Sequence, residues 1–129
     1  MECPRCQVEL SEVPNDELTL QKCEDCSSVW IDVSDLNRML IHNNLTGLES
    51  QGGKMDPEAL TGQCSECLVD LLRVSGGSRQ DPQHYDTCEG CGGVFLESEF
   101  DAGDVPGIET QIVDFFRTFA GKKQSALGG

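Results

Sequence analysis

The feature that most restricts this chain is a duplicated cysteine segment. Cys23-Glu-Asp-Cys-Ser-Ser-Val-Trp-Ile-Asp-Val-Ser-Asp-Leu36 recurs 65 residues later as Cys88-Glu-Gly-Cys-Gly-Gly-Val-Phe-Leu-Glu-Ser-Glu-Phe100, one residue shorter beyond Glu97. Each copy is preceded by a further Cys-x-x-Cys, Cys3/Cys6 in the first and Cys64/Cys67 in the second. Self-similarity at a fixed offset marks a chain built by repeating one unit. A unit of about 40 residues rarely holds together on a hydrophobic core alone, so metals or disulfides must carry part of the stability.

Disulfides and metal are the competing readings of eight cysteines. Disulfides need an oxidising compartment, and the opening Met-Glu-Cys-Pro-Arg-Cys has neither a basic region nor an apolar run of the secretory kind. Two Cys-x-x-Cys turns, by contrast, bring four thiolates around one tetrahedral ion. The spacing therefore predicts two Zn²⁺, one held by Cys3, Cys6, Cys23 and Cys26, the other by Cys64, Cys67, Cys88 and Cys91. No apolar run approaches the ~18 residues of a membrane span. The expectation is a soluble, cytoplasmic protein.

Charge narrows the partner class. The chain has 9 Lys+Arg against 23 Asp+Glu, a net charge of −14. Residues 1–40 carry nine acidic and three basic side chains, and residues 63–103 carry eight and two. Four thiolates around a divalent ion leave each site negative as well. Phosphate-backbone binding needs clustered Lys and Arg, which are absent, so nucleic acid is disfavoured as a partner. An acidic surface suits docking on a basic protein surface.

Local patterning predicts small β units. Val8 and Leu10, then Leu18 and Leu20, alternate with polar residues on either side of the turn signal Pro14-Asn15-Asp16. Val29-Trp30-Ile31 forms a third short strand, and Ser34 is a candidate N-cap for a helix with Leu36, Met39 and Leu40 at i, i+3, i+4. In the second unit Val69 and Leu71 lead out and Tyr85 leads back to Cys88, around the tip Ser75-Gly76-Gly77-Ser78. Backbone after the second cysteine of such a turn tends to be left-handed, which suits Gly92-Gly93 and costs about 1 kcal/mol at Ser27. Ile108, Ile112, Phe115 and Phe119, widened by Phe116, form the stripe of an amphipathic helix, with Lys122-Lys123 after it.

These residues resemble the zinc-ribbon family named after transcription factor IIB, whose bacterial members read Cys-Pro-x-Cys, a hairpin, then Cys-x-x-Cys-Gly-Gly-Val-Trp-Leu-Asp-x-x-Glu-Leu. Cys3-Pro4-x-Cys6 matches the opening. Cys26 to Asp32 with Asp35-Leu36 matches the close, as does Cys91 to Glu97 in the second copy, where Ser65 replaces the proline. The resemblance implies zinc, a ribbon fold and, from the family name, an association with transcription. Ribbons of this shape serve DNA, RNA and protein partners, so the fold leaves function open.

The expected architecture is two tandem zinc ribbons plus a C-terminal amphipathic helix. It divides into ribbon 1 with a short helix (1–43), a linker (44–62), ribbon 2 (63–103), the helix (104–121) and a tail (122–129). A four-cysteine site is coordinatively closed, so structural metal and no enzymatic activity are expected. Iron is the rival ion, because the same ligand set makes a rubredoxin-like electron carrier. His42 and His84 are surplus to the ligand sets and are placed on the surface. Trp30 and Phe95 are read as core. Ile108, Ile112, Phe115, Phe116 and Phe119 either pack on the ribbons, the favoured reading, or form a partner surface that permits a homodimer. The expected function is a non-enzymatic protein–protein interaction module, with a nucleic-acid-binding regulator and the iron electron carrier as alternatives.

Overall fold

The structure, a computed structural model, describes residues 1–13, 20–56, 58–59, 62–77, 79–80, 82–97, 100 and 105–120. The turn expected at Pro14–Asp16 with Leu18, Ser78 at the second hairpin tip, residues 101–104 and everything after Ala120 lie outside them. The elements are β1 (Ser11–Glu12), β2 (Leu20–Lys22), β3 (Val29–Asp32), α1 (Val33–His42), a 3-10 turn (Leu48–Ser50), β4 (Lys54–Asp56), β5 (Leu72–Gly77), β6 (Pro82–Thr87), β7 (Gly93–Leu96) and α2 (Val105–Ala120).

All seven strands join in one sheet, ordered β1-β2-β3-β7-β6-β5-β4, with antiparallel pairing throughout. The two ribbons meet where β3 pairs with β7: Val29 faces Leu96, Trp30 faces Phe95, Ile31 faces Val94 and Asp32 faces Gly93. Phe95 stands 65 residues after Trp30, the offset that also separates Cys88 from Cys23. The equivalent residues Trp30 and Phe95 therefore face each other, their neighbours pair crosswise, and a local two-fold axis runs through the Trp30–Phe95 pair. Each unit covers the strand edge that the other would leave open, the usual hazard of a small sheet.

Side chains alternate across a strand, so this register sorts them onto two faces. Leu20, Val29, Ile31, Val74, Tyr85, Val94 and Leu96 share one face and a single core with residues of α1 and α2. Trp30 and Phe95 point the other way, into a second cluster with Leu10, Leu71 and the buried cysteines.

Helix α1 begins earlier than Ser34 suggests. Asp32 is the N-cap, its carboxylate accepting from the Ser34 N–H at 3.0 Å. A carboxylate directly after the strand serves both as acceptor and as a negative charge at the positive helix end. The helix stops at Asn44, which is left-handed (φ 65°), with Leu45 N–H returning to the Leu40 carbonyl at 2.9 Å and Asn44 N–H to Ile41 at 3.1 Å. That is the Schellman pattern, and Leu45 is the buried apolar residue that accompanies it.

The stretch 44–62, expected as a linker, contributes structure. Leu45 and Leu48 are buried in the main core, Leu48 N–H donates to Asn37 Oδ1 at 2.7 Å, and β4 adds a strand beside β5. Four glycines among residues 44–62 conceal these two leucines.

Helix α2 lies across β5 and β6 and against α1. Ile108, Ile112 and Phe116 are fully buried and Phe119 nearly so, while Phe115 is only partly covered. Tyr85 packs against Phe116 and Phe119 at ring-centroid distances of 5.9 and 5.3 Å. A side chain on Gly53 or Gly76 would meet the Phe119 ring at 2.8 and 2.7 Å, so both glycines make the floor on which that ring sits. This corrects the partner-surface reading of Ile108, Ile112, Phe115, Phe116 and Phe119. The sheet face needs covering and the stripe needs burial, and each satisfies the other within one chain.

Candidate metal centres

Four turns of one geometry build the two sites. In each, the N–H of the residue after the second cysteine returns to the carbonyl of the first: Gln7 to Cys3, Ser27 to Cys23, Leu68 to Cys64 and Gly92 to Cys88, at 2.8–2.9 Å. The first cysteine's own N–H then reaches the carbonyl five residues on, at Val8, Ser28, Val69 and Gly93, at 2.8–3.0 Å. All four post-cysteine residues are left-handed, with φ of 60°, 62°, 58° and 76°. The expectation for Ser27 and Gly92 holds, and it extends to Gln7 and Leu68. Only Gly92 adopts this backbone without penalty; each of the other three pays about 1–2 kcal/mol. Closing a four-thiolate site offsets that strain. Gly93 differs, being a strand residue with no positive φ.

The turns bring the sulfurs into two groups, Cys3, Cys6, Cys23, Cys26 and Cys64, Cys67, Cys88, Cys91, with ligand atoms within 4.8 Å of one another in each. All eight cysteines are free thiols. Cys3 Sγ lies 3.8 Å from Cys26 Sγ, and Cys64 Sγ 4.0 Å from Cys91 Sγ. A tetrahedron with metal–sulfur bonds of ~2.3 Å has sulfur–sulfur edges of about 3.8 Å. The donor set and its dimensions fit two metal ions, one per group.

The leading cysteine of every pair is buried, whereas Cys6, Cys26 and Cys67 are half-exposed and Cys91 is exposed. The thiols of each group differ in their surroundings. Cys6 is pushed up to about 12, first by its hydrogen bond with Cys26 and then by burial. Burial also raises Cys26, but hydrogen bonds from the Ser28 hydroxyl and N–H outweigh it and bring this thiol down to about 7. In the second group Cys67 is pushed up to about 12 by Cys88. There burial works against ionisation of Cys88, yet the N–H groups of Cys91 and Gly90 lower it. Gly93 stands where Ser28 does and has no hydroxyl to offer Cys91.

Trp30 and Phe95 share one cluster with the buried cysteines of both groups, their ring centroids 6.4 Å apart. The indole lies over Gly93, where an added Cβ would be 2.0 Å from Trp30 Cζ2. His42 is exposed at the end of α1, and His84 is half-buried on β6; neither belongs to a thiol group. Burial and the nearby Arg73 lower the pKa of His84, against the pull of Asp86 and Glu97.

A polar cluster beside the second site escapes sequence reasoning. Asp86 is fully buried and accepts from Arg73 Nε at 3.0 Å; Arg73 Nη2 lies 3.9 Å from Glu97, which also pairs with Arg5 of the first unit. Register brings Arg73 opposite Asp86, and Asp86 opposite Phe95, the residue two before Glu97.

Residues 2–41 match the family model described as transcription factor zinc-finger, the zinc ribbon of transcription factor IIB type. No curated protein and no solved structure matches the chain. No described helix is long and apolar enough to cross a membrane. The matched segment holds the first four-cysteine group together with α1, and residues 64–91 hold the second group on the same four-turn geometry. Residues 2–41 thus match the zinc ribbon of transcription factor IIB type, and the chain carries a second four-cysteine unit consistent with a tandem copy.

Proposed function

We propose that this protein is a non-enzymatic, zinc-binding protein–protein interaction module associated with transcription, acting in the cytoplasm. The observation that carries the reading is that both candidate sites are complete sets of four thiols. Four cysteines leave an ion no position for water or substrate, so its work is structural. Zinc is the usual ion of the matched family, and the transcription link rests on that family's description. The acidic surface supports a partner with a basic surface and argues against the phosphate backbone of nucleic acids.

The test has two arms. Elemental analysis of the purified chain gives two zinc ions per molecule on this reading, and colourless protein separates zinc from iron. Immobilised zinc-loaded chain, challenged with native lysate, retains a protein partner that a chelator releases. Nuclease-sensitive retention of nucleic acid, or a red protein with a visible absorption band, would replace this reading with one of its rivals.

A further inference from the structure

The first turns of the two ribbons touch. Glu2 N–H donates to Ser65 Oγ at 2.9 Å, and Gly62 (φ 115°) passes so close to Pro4 that a Cβ there would lie 2.8 Å from the Pro4 carbonyl oxygen. Beside this contact opens a groove of ≈ 830 Å³, a volume suited to a peptide side chain with its flanking backbone. Glu2, Glu9, Glu66 and Asp70 line it together with Leu68 and Leu71, and no lysine or arginine is among its described lining residues. Glu9 is held by the chain's terminal ammonium at 2.8 Å. Leu71 is buried, but Leu68 is 70% exposed, the most exposed of the large hydrophobic residues among those described, with the half-exposed Val69 next to it. An apolar anchor thus stands in an acidic surround.

We infer that this inter-ribbon groove is the docking site for a basic segment of a partner protein, one in which lysines or arginines flank an aliphatic side chain. The inference rests on the interaction-module reading and adds the place and chemistry of the contact. Charge complementarity selects the occupant: with Glu9 paired to the terminal ammonium, Glu2, Glu66 and Asp70 keep the groove net acidic, which attracts cationic side chains and repels acidic or phosphorylated ones. The aliphatic residue meets Leu68, whose burial supplies affinity that the screened charges alone do not. Both ribbons contribute to the groove, so it exists only while both turns are closed.

The test uses the zinc-loaded full chain and a fluorescein-labelled peptide of lysines and arginines around a central leucine, followed by fluorescence anisotropy. Binding is expected to weaken as salt rises, and to weaken about tenfold when serine replaces the peptide's leucine, the equivalent of ~1.4 kcal/mol. Leu68→Asn should produce a similar loss while melting no earlier than the parent, because asparagine tolerates the left-handed backbone better than leucine. The pair Glu66→Lys and Asp70→Lys should abolish binding. Unchanged affinity in either variant, or equal binding of a glutamate-flanked peptide, overturns the groove as the site. A concentration-dependent doubling of mass that Leu68→Asn removes makes a second copy the occupant, which also overturns it. If a lysate partner binds parent and groove variants alike, the module reading stands and this inference alone fails.

Discussion

Replacing Gly93 by alanine tests the seam between the ribbons. The new methyl would sit 2.0 Å from Trp30 Cζ2 and 2.4 Å from Cε2, with Nε1 at 2.7 Å. Relief requires the indole to withdraw by about 1.5 Å to reach ordinary carbon–carbon contact. It has little room to do so, because Trp30 is 5% exposed and backed by a fully buried Phe95. Overpacking of this kind costs about 1–3 kcal/mol and more where the neighbour is rigid. Alanine recovers about 0.5–1 kcal/mol by restricting the unfolded chain. Taking the upper end for a ring so confined, the expected net loss is about 2 kcal/mol for the zinc-loaded protein in denaturant, followed by circular dichroism. Trp30, the chain's single tryptophan, reports directly, and its emission should shift toward that of a wetter indole. In a Trp30→Phe background, where no ring atom occupies the Cζ2 position, the cost of Gly93→Ala should fall below about 0.5 kcal/mol. A full cost in that background would place the penalty in the backbone and refute the argument. So would a Gly93→Ala protein with parental stability and emission, since the indole would then not lie on Gly93. The repeat offers an internal comparison: the position equivalent to Gly93 is Ser28, buried at 1%, and the ring equivalent to Trp30 is the smaller Phe95. The larger ring faces the residue without a side chain.

Three further outcomes are expected. Complete chelation should release two equivalents of zinc and unfold the cluster around Trp30 and Phe95, since structural zinc supplies ~10–16 kcal/mol per site; native-like near-UV dichroism without metal would count against this. Phe116→Ala should cost about 3–5 kcal/mol in denaturant melts, and the partly covered Phe115→Ala less, with the mass by light scattering unchanged in both; a dimer converted to a monomer would reassign α2 as an assembly surface. Asp86→Ala should destabilise by about 2–3 kcal/mol, because it strands the largely buried Arg73 guanidinium, whereas the double variant with Arg73→Leu should recover part of that loss; additive losses would mean that the pair is not coupled.

The sequence by itself determined whatever depends on neighbours along the chain. Cysteine spacing set both ligand groups, because a Cys-x-x-Cys turn closes on its own hydrogen bonds. The left-handed positions at Ser27 and Gly92, the helix carrying Leu36, Met39 and Leu40, and the apolar stripe of α2 followed from local geometry and period. Gly93 shows the limit. Two adjacent glycines invite one conformational explanation, yet only Gly92 is left-handed, and Gly93 is small because a tryptophan from the other ribbon lies over it. Tertiary structure alone decided such matters. A period of two says which residues of a strand share a face, but it does not name the partner strand. Pairing of β3 with β7 is therefore invisible in either repeat read separately, although it fuses two ribbons into one sheet and brings Arg5 to Glu97. The fate of the α2 stripe is nonlocal for the same reason. Hydrophobicity requires that it be covered, and only the packed sheet face, floored by Gly53 and Gly76, says by what.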